Sequence, residues 1–120
     1  MTGVVDDSGA AMLPVRIKAE DSGSATDLDV WVDTGFTGDL VMPATNIAAL
    51  GLPIGAGIEA ILADGSLIQL DTYSCLIEWF GEWKQVEVVA NQGQVPLLGV
   101  GLLLDHDLHI DYRAKTIIVG

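Results

Sequence analysis

Positive charge, cysteine and long apolar runs are all scarce in this chain, and no stretch repeats. Lys and Arg together number 5 against 17 Asp and Glu, a formal net charge of −12 at pH 7. Phosphate backbones and anionic bilayers would repel it, so neither nucleic acid nor a membrane surface is expected as a partner. The charge itself reads as a source of solubility. No run reaches the roughly 18 apolar residues of a membrane span. Cys75 is alone, which excludes an internal disulfide and fits a reducing, cytoplasmic compartment. Met1-Thr2-Gly3-Val4-Val5-Asp6-Asp7 has no basic n-region and no apolar h-region, so no secretory signal is expected.

What is present suits one domain with one core. The chain has 120 residues, half of them hydrophobic, and 14 glycines punctuate short apolar stretches. Residues 1–12 are small and polar and read as a flexible segment, an edge strand at most. From Leu13 to Ala19 apolar and charged residues alternate, the pattern of a half-buried strand. Residues 28–33 alternate likewise, giving a first hairpin. A short strand over 39–42 precedes Pro43, which suits a helix start, and Gly51 suits its stop. Asp64-Gly65 between apolar runs marks a second hairpin, and a third is expected around Gly81-Glu82. Residues 96–101 read as a buried strand entering a turn, 102–106 as one or two helical turns, and 108–119 as a closing hairpin. The order predicts an all-β, closed barrel with one or two short helices.

The chain turns on Val30-Trp31-Val32-Asp33-Thr34-Gly35-Phe36-Thr37-Gly38. A strand rich in apolar residues ends in a carboxylate, whose burial costs several kcal/mol unless compensated. Such an Asp is either a turn-former facing water or a working acid. Asp7-Ser8-Gly9 and Asp21-Ser22-Gly23 share the triplet but follow polar residues, so both read as solvated turns. Asp27-Leu28-Asp29 suggests the paired aspartates of phosphotransferases, but it lacks the apolar strand before it. His106 and His109 share a face only if a helix continues through them, whereas residues 108–112 alternate like a strand. No metal and no cofactor are expected. Cys75 sits mid-strand with no activating neighbour and reads as inert. Trp31, Trp79 and Trp83 read as core or interface anchors.

Val32-Asp33-Thr34-Gly35, with Gly38-Asp39-Leu40-Val41-Met42-Pro43 behind it, resembles the active-site loop of aspartic proteases. Taken with the hairpin tipped by Asp64-Gly65 and with Leu97-Leu98-Gly99, it resembles the single-lobe, retropepsin-like members over residues 13–120. The tail from Ile110 to Val119 is similar to the closing hairpin of cellular and bacterial members; viral ones end shorter. The resemblance implies an aspartic endopeptidase acting on peptides or proteins. Its Asp33, Thr34 and Gly35 form the catalytic loop. Phe36, Leu98, Gly99 and a flap tip of Ala63, Asp64, Gly65 and Ser66 flank the substrate. Only one such loop is present, so the second carboxylate is implied to come from a homodimer partner. Two further readings keep the architecture without the activity: an inactive dimeric barrel that binds peptides or scaffolds, and a monomeric domain that binds extended peptide by strand addition.

Overall fold

The computed structural model describes residues 1–120, apart from the side chain of Ala60. Eleven strands and two short helices follow one another in the order β1 (Thr2–Val5), β2 (Ala11–Lys18), β3 (Thr26–Val32), β4 (Leu40–Pro43), α1 (Ala44–Leu50), β5 (Ile58–Ile61), β6 (Leu67–Leu70), β7 (Thr72–Trp79), β8 (Glu82–Asn91), β9 (Leu97–Leu98), α2 (Val100–Leu103), β10 (Leu108–Asp111) and β11 (Thr116–Val119). The fold is all-β, as the residue pattern predicts. Nine strands form one sheet in the order β10-β11-β1-β2-β3-β9-β4-β8-β7, and β7 returns to pair with β2, closing a ring.

The ring forms because alternate residues point inward. Leu13, Val15 and Ile17 of β2 and Val30 and Val32 of β3 enter the core, with Leu13 opposite Val30. Leu40, Met42, Ile77, Val88 and Leu98 meet them from the other side. Outward, β3 carries Asp27, Asp29 and Trp31, and Arg16 pairs with Asp27 at 3.1 Å on the exposed face. Helix α1 starts at Pro43 and ends at Gly51, whose left-handed φ of 64° lets its N–H bond back to Ala48 O. Ile47 buries the helix's apolar face.

Three expectations differ from the structure. Residues 1–12 are neither frayed nor at an edge: β1 lies between β2 and β11. It carries little apolar alternation, because backbone pairing holds it. Thr2 stands opposite Ile118, Val4 opposite Met12, and the Met1 amine donates to Val119 O at 2.7 Å. The β1–β2 turn is capped by Asp6 Oδ1, which accepts from Ser8 N–H, Ser8 Oγ and Ala10 N–H. The third hairpin turns at Phe80-Gly81 rather than Gly81-Glu82. Both residues have positive φ, 51° and 83°. Two successive left-handed residues match the twist of a tight hairpin. Third, the buried strand over 96–101 shrinks to Leu97–Leu98, because Val100 already starts α2.

β5 and β6 stand apart as a two-stranded sheet. The base of this hairpin is tied to the body through Thr72. Thr72 lies on the outer side of β7, yet it is 0 % exposed because residues 53–57 cover it. Gly55 N–H donates to Thr72 O at 2.7 Å, Gly57 N–H to Thr72 Oγ1 at 2.9 Å, and Ser74 N–H to Pro53 O at 2.9 Å. Thr72→Val keeps the volume and removes the acceptor for Gly57. A donor left without a partner costs about 1–3 kcal/mol. The variant is therefore expected to melt lower and to exchange the Gly57 amide faster, with β10 and β11 amides unchanged. Unchanged exchange at Gly57 would show that Thr72 is no anchor.

Candidate active site

The loop carrying Asp33 is built by a parallel pairing inside the sheet. β3 runs beside β9, with Trp31 opposite Leu97 and Val32 opposite Leu98, and β9 pairs antiparallel with β4 on its other side. Trp31 N–H donates to Pro96 O and Asp33 N–H to Leu98 O, both at 2.9 Å. The chain then turns. Phe36 N–H closes onto Asp33 O at 3.2 Å, and Asp33 Oδ1 accepts the Gly35 N–H at 2.9 Å. Asp33 is half-buried, while Thr34 and Gly35 are exposed. Among the described residues Asp33 Oδ2 has no hydrogen-bond partner in the chain. The carboxylate is thus oriented by one oxygen and open at the other, a geometry that can hold a water or a second carboxyl group.

Three more backbone bonds hold the loop to the segment after β9: Gly99 N–H to Asp39 O (2.8 Å), Val100 N–H to Phe36 O (2.7 Å) and Gly101 N–H to Gly38 O (2.9 Å). The approach is close. A Cβ on Gly99 would lie 2.3 Å from Gly38 O, 2.5 Å from Phe36 Cδ2 and 2.7 Å from Phe36 O. The Phe36 ring is lodged against Gly38 and Gly99, half-buried above the loop.

Of the residues singled out from the sequence, Asp33, Thr34, Gly35, Phe36 and Gly99 come together here. Leu98 is adjacent but faces the other way. It is 0 % exposed and its side chain belongs to the core. Its neighbour Leu97 takes the outer face opposite Trp31, which is 44 % exposed. Side chains alternate along a strand, so Leu97 and Leu98 point to opposite faces. The sequence reads Trp31 as a core or interface anchor, and its period-2 relation to Asp33 is the signal for the exposed face. Trp79 is a core residue, and Trp83 is exposed beneath the Lys18 ammonium at 4.2 Å. Asp39 lies half-buried behind the loop.

Ala63, Asp64, Gly65 and Ser66 form the exposed tip of the β5–β6 hairpin. Leu62 N–H donates to Ser66 O at 2.8 Å, and Gly65 turns with φ 86°. Asp64 Oδ1 accepts from Ser66 Oγ and N–H, and these bonds, the hydroxyl's first, hold its carboxyl below the usual range. Ile61, Leu62 and Leu67 near the tip are exposed. Among the described residues no hydrogen bond joins the tip to the Asp33 loop. Cys75 is buried on β7, and burial, with the Asp39 charge behind it, pushes its thiol up to about 12, so it does not ionise near neutral pH. No helix among the described residues is long and apolar enough to cross a membrane.

The ring of strands, the loop after β3 and the detached hairpin together define the retropepsin-like fold of aspartic proteases. A retropepsin-like aspartic protease from Rickettsia conorii superposes with a TM-score of 0.64 at 16% identity, covering 99% of this chain and 88% of that one. The EIAV protease complexed with the inhibitor HBY-793 gives 0.56 at 20% identity over 83% and 90%, and the simian foamy virus (mac) protease 0.51 at 22% over 76% and 91%. No family model and no curated protein matches the chain by sequence. Likeness at these identities establishes the fold; the chemistry rests on the residues.

Proposed function

We propose that the protein is an aspartic endopeptidase that works as a homodimer, each subunit contributing Asp33 to one site. The observation that carries this reading is the Asp33 carboxylate. It caps a strand packed into the core, is oriented through Oδ1 by Gly35 N–H, and keeps Oδ2 open. One such group cannot take water's proton and at the same moment donate a hydrogen bond to the carbonyl oxygen. Two facing each other can, because carboxyls about 3 Å apart share a single proton. The ionised member takes the proton of the attacking water. The protonated member hydrogen-bonds the carbonyl oxygen and then protonates the leaving nitrogen. The titration belongs to the pair. Thr34, exposed beside it, is placed to link the two loops through its hydroxyl, and Gly35 lets backbone come close. The β5–β6 hairpin would close over the cleft and exclude water. Trp31 and Leu97, side by side on the outer face, offer an apolar wall, so apolar residues next to the scissile bond are favoured.

The test is cleavage of a broad peptide library over roughly pH 3 to 7, the acidic range in which carboxyl pairs titrate. It is run beside sedimentation at rising NaCl. Two chains of −12 give −24 in the dimer. Salt shortens the Debye length to about 10 Å at 0.1 M, so a dimer held by apolar contacts tightens as salt rises. Cleavage by a dimer that tightens with salt is the expected result. A monomer at all concentrations would remove the shared site. A dimer that cleaves nothing would favour a peptide-binding module.

A further inference from the structure

Asp39 follows the turn that leaves Asp33, just before β4 begins. Its main chain and side chain grip two different parts of the molecule. The carbonyl accepts Gly99 N–H at 2.8 Å. Carboxylate Oδ2 accepts Glu87 N–H at 3.1 Å. The β4–β8 ladder opens with Leu40 opposite Val88, so Glu87 is the residue just outside it. The carboxylate therefore adds a bond where the backbone of the departing loop no longer supplies one. The other oxygen lies against α2. A Cβ on Gly101 would be 2.3 Å from Asp39 Oδ1, so the absence of a side chain at 101 is what leaves room for the acid.

The plain alternative is a staple that joins β4 to β8 and does nothing else. The hydrogen bonds run further than that. Asp39 holds Gly99, the next residue back is Leu98, and Leu98 O accepts the Asp33 N–H. From these contacts we propose that Asp39 is a positioning residue for Asp33: by tying the far end of the loop to β8 and to Gly99, it fixes the height and direction of the carboxylate. Its part in catalysis rests on the protease reading above, whereas its hold on the Asp33 loop can be measured without any substrate.

The experiment compares Asp39→Ala and Asp39→Asn with the wild type, by amide hydrogen exchange and by steady-state cleavage. Loss of a bond to a charged acceptor changes local opening by about tenfold or more. In Asp39→Ala, exchange is expected to quicken by at least about tenfold at Glu87, which loses its acceptor, and to a smaller but measurable extent at Gly99 and Asp33, whose own main-chain bonds remain but lose their anchor on β8, with β10 and β11 amides unchanged. In the same variant kcat should fall by a similar factor at nearly constant KM. Asp39→Asn keeps an oxygen that accepts the Glu87 N–H, so both readouts should return close to wild type. If Asp39→Ala does not fold, Asp39→Ser, whose hydroxyl stops short of Glu87, takes its place. Faster exchange at Glu87 and Gly99 with none at Asp33 would overturn the proposal and leave only the staple. Loss of thermal stability with kcat intact would overturn it as well. A wild type that cleaves nothing, with the exchange pattern as expected, would sink the protease reading and leave the hold of Asp39 on the loop standing.

Discussion

Asp33→Asn is expected to abolish peptide cleavage while leaving the fold and the dimer intact. The amide keeps the shape of the carboxyl, and its oxygen still accepts the Gly35 N–H that Asp33 Oδ1 accepts at 2.9 Å. What it loses is the proton. Positioned acid–base groups contribute about 10²–10⁴-fold each, so a site stripped of the shared proton should fall by at least about 10³-fold. Stability should hold, since the amides fill the same space and remove the one charge that the proton-sharing pair keeps. Mixing makes the test sharper. If one site needs Asp33 from both subunits, activity after subunit exchange follows the square of the wild-type fraction, and equal mixing leaves roughly a quarter. A linear dependence would mean that each chain acts alone.

The second large effect is expected at Gly99. In Gly99→Ala the new Cβ meets Gly38 O at 2.3 Å, Phe36 Cδ2 at 2.5 Å and Phe36 O at 2.7 Å. The ring can swing aside, but the two carbonyls belong to the loop that carries Asp33 and are themselves bonded to Val100 and Gly101. Overpacking of this kind costs about 1–3 kcal/mol or more, which for a domain of this size is a fall in Tm of roughly 5–15 °C. Relief of the strain requires the loop to move, so cleavage should fall with stability. The double variant Gly99→Ala, Phe36→Leu separates the causes. It should recover little if the carbonyls are the obstacle. Recovery of both Tm and activity would place the obstacle in the ring and would refute the argument from backbone contact.

Much of this was legible because local signals agreed with one another. The alternation through Val30 and Val32 ends at Asp33 in sequence and in space. Pro43 and Gly51 bracket α1, and Asp64-Gly65 turns the hairpin. Other parts were not legible, for physical reasons. β1 is held by backbone bonds to strands on either side, and such bonds leave no mark in residue type. Phe80 takes a left-handed φ that few bulky residues adopt, so residue type points to a turn one residue later. β9 is only two residues long, too short for period 2 to tell Leu97 from Leu98. Asp39 gains its meaning from Glu87 and Gly101, both far along the chain.

The pairing of β1 with β11 also bears on how the protein is made. The Met1 amine and Val119 O are bonded across 118 positions of chain. Of the strands of this fold a ribosome delivers β1 before and β11 after all the others, so one side of β1 has no partner until residues 116–119 have emerged. Contacts this distant in sequence slow folding, and an open strand edge on a nascent chain invites wrong pairing. The nine-stranded sheet is complete only once β11 has emerged. A chain cut short before residue 116 would forfeit β11 and expose β1 on one side and β10 on the other, a loss far larger than four strand residues suggest.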